Sequence, residues 1–153
     1  MYEDNARKIN ATLEAINPAA TQDIIPLGRM DSMLQARDKL DEGYLVGMLA
    51  DRGLGDDATV DCDFLGKPAP FPLGPFRMAA MLRRPVFFMT GLYLGGNRYQ
   101  LHFEPIADFS QTTREERDTA IHAAMQHYAD RLTHYCRLAP YNWFNFFDFW
   151  QKK

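Results

Sequence analysis

Apolar positions recur at helical spacing near both ends of this chain and gather into strand-length runs between them. Residues 5–17 put Ile9, Leu13 and Ile16 at i, i+4 and i+7 and close on Asn17-Pro18, which predicts an amphipathic helix with a proline stop. Asp23-Ile24-Ile25-Pro26-Leu27 predicts a short strand, held to an end or edge position by its proline. Asp31 suits the N-cap of a second helix, which carries Leu34 and Leu40 on one side and ends at Gly43. Residues 44–50, Tyr-Leu-Val-Gly-Met-Leu-Ala, form an apolar run of strand length that stops abruptly on Asp51-Arg52-Gly53. Strand, helix, strand in that order predicts a βαβ unit and hence parallel pairing with a right-handed crossover. Ligand sites in open α/β sheets lie beyond the carboxyl ends of strands, so Asp51 and Arg52 stand where a cleft is expected.

Polar and proline-rich sequence follows. Asp56, Asp57, Asp61 and Asp63 predict a solvated acidic loop, since the alternating oxygens and late glutamate of a calcium loop are missing. Residues 74–84 predict a helix with Gly74 as its cap and Pro75 at the first helical position. The free N–H groups of that helix start suit a phosphate or carboxylate, and the same residues also read as a plain turn between two elements. Pro85 ends the helix, and residues 86–94 predict a strand buried on both faces, turned by Gly95-Gly96-Asn97. Residues 98–104 alternate with period two, so Arg98, Gln100, His102 and Glu104 are expected on a face looking away from the core. His102 and Glu104 on one face suggest either an acid/base pair or an ordinary exposed hairpin, and no G-x-S-x-G nucleophile accompanies them.

Thr113 and Glu116 spell a capping box at the start of the longest helix, with Ile121, Ala124, Met125, Tyr128, Leu132, Tyr135 and Cys136 as its buried stripe. Tyr141-Asn142-Trp143-Phe144-Asn145-Phe146-Phe147-Asp148-Phe149-Trp150 then carries more aromatic surface than water tolerates. Three fates fit it: a seal packed over the sheet, the lining of an acyl-chain pocket, or a layer at a membrane interface. The whole reads as an α/β chain, with a mixed, mostly parallel sheet flanked by helices, then a hairpin and a long helix.

Composition narrows the function. At 153 residues the chain has the size of one domain, and a net charge of −3 with no basic, aromatic-interleaved patch argues against nucleic acid. Cys62 and Cys136 are too far apart for a C-x-x-C site, and His122, His127 and His134 lack the spacing and carboxylate of a zinc set, so no metal is expected. The acidic start lacks the apolar segment of a secretory signal. The longest apolar run, residues 86–94, is about half a membrane span, so any membrane contact is expected at the surface.

Several stretches together carry a family resemblance. Ala50-Asp51-Arg52, Phe64-Leu65-Gly66-Lys67-Pro68-Ala69-Pro70-Phe71-Pro72-Leu73-Gly74-Pro75-Phe76, Tyr99-Gln100-Leu101-His102-Phe103-Glu104-Pro105 and the tail from Ala139-Pro140 to Trp150 are similar to the carboxyl-terminal half of bacterial lysophospholipid-type acyltransferases. In particular, they resemble the branch related to the late acyltransferases of lipid A biosynthesis. The resemblance implies a peripheral enzyme on the cytoplasmic face of the inner membrane, without a cofactor. Such an enzyme moves a fatty acyl group from an acyl carrier protein or coenzyme A thioester to a hydroxyl of a lipid acceptor. It implies that Asp51 and Arg52 bind substrate, Arg52 being the better phosphate ligand for its planar fork of donors, and that Gly74 and Phe76 border the donor or acyl channel. The family's base lies in an H-x-x-x-x-D motif. Here none of His102, His122, His127 and His134 has an acid five positions on, so the chain is expected to be the second part of such a domain, without its own catalytic base and inactive alone. Exposed strand edges of an incomplete sheet also predict self-association.

Overall fold

The computed structural model describes residues 25, 31–53, 57–146 and 148–151. The expected helix over residues 5–17 and all but Ile25 of the expected strand at residues 23–27 lie outside them. The chain divides into two compact units, Met1–Gly47 and Met48–Lys153.

In the first unit, α1 spans Ser32–Asp41. It ends as Gly43 predicts: Gly43 takes φ +89°, its N–H donates to the Leu40 carbonyl at 3.1 Å, and Tyr44 N–H donates to the Lys39 carbonyl at 3.0 Å. That is the paired closure of a Schellman motif, with glycine where a left-handed residue is needed. The buried positions are Ser32 and Ala36, one turn apart, while Leu34 is exposed, so the expected leucine stripe is not the packed one.

Residues 44–50 form no strand. Leu45 is 90% exposed and Leu49 75%, and no described strand pairs with them. An apolar run becomes a strand only when a neighbour takes its backbone N–H and C=O groups, and without one the expected parallel sheet is lost. The sheets among the described residues are two separate antiparallel hairpins.

The first hairpin joins β1 (Thr59–Phe64) to β2 (Lys67–Pro72). Its two-residue turn puts Leu65 at φ 52° and Gly66 at φ 91°, the double positive φ of a type I′ turn. Asp61 and Asp63, expected in a loop, are outward positions of β1, alternating with the inward Cys62 and Phe64. Pro68, Pro70 and Pro72 pair with Asp63, Asp61 and Thr59, alternate positions that turn the prolines' missing donors to the free edge. On the other edge, Gln126 takes the place of a strand: its Oε1 accepts Asp63 N–H at 2.9 Å and its Nε2 donates to the Asp63 carbonyl at 3.1 Å.

Next, α2 (Gly74–Leu82) has Leu73 as its cap and Pro75 in its first turn, one residue from the expected start. It closes through Arg83 at φ 55°, whose Nε donates to the Ser110 carbonyl at 3.2 Å. The second hairpin pairs β3 (Pro85–Tyr93) with β4 (Tyr99–Asp108), turned at Gly95-Gly96 as expected, with a bulge at Val86/Phe87. β3 is not buried on both faces: only Phe88 and Leu92 are buried. The polar alternation of β4 points inward, not outward. Gln100, His102 and Glu104 share the side of Phe88 and Leu92, and Phe87, Met89, Tyr93, Leu101 and Phe103 face out.

The long helix α3 (Arg117–Leu138) starts beyond the capping box, which forms in both directions. Thr113 N–H donates to Glu116 Oε2 at 3.2 Å, and Glu116 N–H donates to Thr113 Oγ1 at 3.3 Å. Its expected stripe is the packed one. Ile121, Ala124, Met125, Tyr135 and Cys136 are buried, with Tyr128 and Leu132 against them, and Ala129 joins the set. Among the described residues no helix is long and apolar enough to cross a membrane.

Candidate functional site

The aromatic tail splits in two. After a single 3₁₀ turn at Pro140–Asn142, Trp143, Phe149 and Trp150 fold back onto the first hairpin around Phe64, which is wholly buried. Ring centroids lie 5.1 Å from Phe64 to Trp143, 5.2 Å to Phe149 and 5.8 Å to Trp150, whose Nε1 donates to the Phe64 carbonyl at 3.4 Å. Edge-to-face and offset contacts of this kind hold aromatic side chains beyond simple burial. Tyr141, Phe144 and Phe146 instead face solvent, Tyr141 at 92% and Phe146 at 88%. The seal and the exposed layer are therefore different residues of one tail.

Asp51 and Arg52 lie beside this tail. Arg52 Nε is 3.3 Å from Asp51 Oδ2, and Arg52 Nη2 donates to the Phe144 carbonyl at 3.5 Å. The pair is only partly shielded, so it adds little to stability; its consequence is orientation. Asp51 is largely covered while Arg52 keeps about half its side chain in solvent. The guanidinium thus stands half in solvent, tied to the Asp51 carboxylate and to the backbone of the tail at Phe144.

The carboxylate of Asp51 also acts on the core. Burial first, and the Asp51 charge second, push the Tyr128 hydroxyl well above the usual tyrosine range. The same two causes push the Cys136 thiol up to about 11. Tyr128 in turn packs against Phe76, with ring centroids 5.7 Å apart. Of the four expected substrate residues, Phe76 packs on Tyr128 and the Asp51 charge acts on its hydroxyl. Phe76 itself is buried in the core, whereas Gly74 is exposed at the start of α2 with open space where a Cβ would stand. Tyr128 was legible as a buried stripe position, but nothing in its spacing tied it to Asp51, 77 positions away by residue number.

A second polar cluster lies between β4 and α3. Glu104 accepts both Arg131 Nε and, at 3.0 Å, Arg131 Nη2, and Tyr135 Oη donates to it at 2.5 Å. Those bonds, Arg131 first, hold the Glu104 carboxyl below the usual glutamate range. Each partner's own bond to Glu104 raises Arg131 and Tyr135. Glu104 makes its hydrogen bonds to Arg131 and Tyr135 and none to His102, whose ring packs on Tyr135 at 4.9 Å and whose Nε2 is buried without a partner. The acid/base reading of His102 and Glu104 therefore lacks its internal hydrogen bond. His122 and His127 bond backbone carbonyls of Asp118 and Ile106, and His134 is exposed. Among the described residues no group of three His, Cys, Asp or Glu side chains gathers to hold a metal.

Residues 6–152 match the family described as bacterial lipid A biosynthesis acyltransferase. The chain belongs to that family. No curated protein and no solved structure matches it. The lipid A acyltransferase family match spans the Asp51-Arg52 pair, both hairpins, the long helix and the aromatic tail, so every feature of the site lies inside it.

Proposed function

We propose that the chain supplies the substrate-holding side of an acyl-transfer site, with the catalytic base contributed from outside its sequence. Arg52 contacts an anionic group of the lipid acceptor or of the acyl donor, Asp51 holds the guanidinium in place, and the surface of Phe144 and its neighbours carries acyl chains. The chemistry needed is attack of an acceptor hydroxyl oxygen on the carbonyl carbon of an acyl carrier protein or coenzyme A thioester. The carbon–sulfur bond breaks, and the hydroxyl proton passes through a base to the leaving thiolate. The observation that carries this reading is a half-exposed, carboxylate-oriented guanidinium hydrogen-bonded to the backbone of a tail that exposes Tyr141, Phe144 and Phe146, in a lipid A acyltransferase family member. Support for an external base comes from the histidines: none has an acid five positions on, and His122 and His127 are engaged with backbone. Acyl transfer to a phosphorylated lipid A precursor, followed with radiolabelled acyl carrier protein thioester, tests it. The chain alone gives no product, and mixing with a polypeptide carrying H-x-x-x-x-D restores transfer that Arg52→Ala reduces at least ~10-fold. Product from the chain alone contradicts the reading.

A second reading is favoured by Tyr141, Phe144 and Phe146. Exposed aromatics of this kind suit the headgroup level of a membrane, which makes the protein a peripheral, non-catalytic module on the inner-membrane surface. It predicts vesicle binding that falls when these three residues become Ser and persists in Asp51→Asn. Trp143 and Trp150, packed on Phe64, affect it only by unfolding the tail.

A further inference from the structure

The outward side of the second hairpin is apolar from Phe87 to Tyr93 and from Tyr99 to Pro105, with Asp108 opposite Pro85 at one end. β3 contributes Phe87, Met89, Gly91 and Tyr93, and β4 contributes Pro105, Phe103, Leu101 and Tyr99 in matching register. The six large side chains are each between 48% and 67% exposed. Leu101 leans across Gly91, its Cδ2 standing 3.2 Å from where a glycine Cβ would lie, so Leu101 fills the gap that Gly91 leaves in the middle of the surface. At about 200 Å² per large side chain, these six leave roughly 700 Å² of apolar surface in water, more than monomers commonly expose.

We infer that this face closes on the same face of a second copy of the chain, sheet on sheet about a two-fold axis. Two such faces bury roughly 1,400 Å² in total, inside the range of specific stable interfaces. A two-fold contact must be self-complementary, and a surface uncharged from Phe87 to Tyr93 and from Tyr99 to Pro105 meets itself there with no like-charge repulsion. Two twisted antiparallel sheets pack in this way at about 10 Å separation. A bilayer fits less well. No cation sits among the outward positions to meet anionic lipid, and among the described residues each strand of the hairpin pairs only with the other, so immersion would strand the outer backbone edges away from water. In a sheet-on-sheet dimer those edges stay on the wet rim.

Sedimentation velocity of the whole chain from about 1 to 100 µM tests this. The expected result is a concentration-dependent shift from 17.6 kDa to twice that mass. Leu101→Lys with Phe103→Lys, both outward, gives a monomer throughout with unchanged near-UV circular dichroism, and Arg52→Ala dimerises like the wild type, which separates this inference from the acyl-transfer reading. Should the double variant lose its tertiary signal, Met89→Lys alone weakens association at least ~10-fold. A wild-type monomer at every concentration overturns the inference, as does a dimer that survives the lysines. Phosphatidylglycerol vesicles that bind a wild-type monomer, but not the lysine variants, assign the face to a bilayer and overturn it too.

Discussion

The two hairpins of this protein solve the same problem oppositely. β1–β2 turns its aromatic side inward under the tail and covers both edges, one with Gln126 and the other with three prolines. β3–β4 turns its glutamate and histidine inward against α3 and leaves Phe87, Phe103, Tyr93, Tyr99 and Leu101 outside. The difference lies in what each has to pack against. Phe64 and Phe71 meet Trp143, Phe149 and Tyr128, an apolar partner for an apolar side. Glu104 meets Arg131 and Tyr135, so its burial is repaid by ionic hydrogen bonds, while Phe88 stacks on Tyr135 from the neighbouring strand.

Substitutions break the comparison most sharply at its two aromatic sides. Phe64→Ala removes the ring at the centre of the tail cluster and is expected to cost about 3–5 kcal/mol in denaturant unfolding. Phe103→Ala, an equal loss of atoms on the outward face, is expected to change the unfolding free energy of the dilute monomer by less than about 0.5 kcal/mol. Equal costs would show that the outward face is packed within one chain. Gln126→Ala takes the surrogate strand from β1 and is expected to cost about 1 kcal/mol, with faster amide exchange at Asp63 as its local signature.

Two smaller effects sharpen the contrast by titration. The Glu104 carboxyl is held below its ordinary value of 4.5, so its stabilising contribution is complete above that value and is lost as pH falls through the lower, folded one. Asp108 and Glu116 are lowered as well, so the diagnostic is a difference: Glu104→Gln flattens the acid side of the stability curve relative to wild type. Cys62 and Cys136 are both buried and pushed up to about 11, burial being the first cause for each. At pH 8 neither is expected to react with a thiol reagent faster than the protein unfolds, and prompt labelling of either would contradict the packing around it.

Much of this was legible where a signal was local. The capping box at Thr113, the stripe of α3, the glycine closure of α1 and the Gly95-Gly96 turn each depend on residues within one or two turns of chain. What failed depended on distant partners. Residues 44–50 are apolar enough for a strand, but no neighbour takes their hydrogen bonds. β1–β2 was hidden because prolines and aspartates, read singly, signal loops; read at period two, Pro68, Pro70 and Pro72 mark an edge with Ala69 and Phe71 inward. The facing of β4 turned on Arg131 and Tyr135, which the helix pattern placed at i and i+4 without saying what they meet. In the candidate site, the Asp51-Arg52 pair was visible as a charged stop after an apolar run, whereas its link through Tyr128 to Phe76 exists only in the folded chain.

The proposed function requires a site that holds substrate without a base of its own. Binding and turnover measured in one sample test it most directly, with a phosphorylated lipid acceptor and a labelled acyl carrier protein thioester added to the chain alone. The predicted result is acceptor binding that Arg52→Ala weakens at least ~10-fold, with no acylated product. Acylated product, or binding indifferent to Arg52, would contradict it.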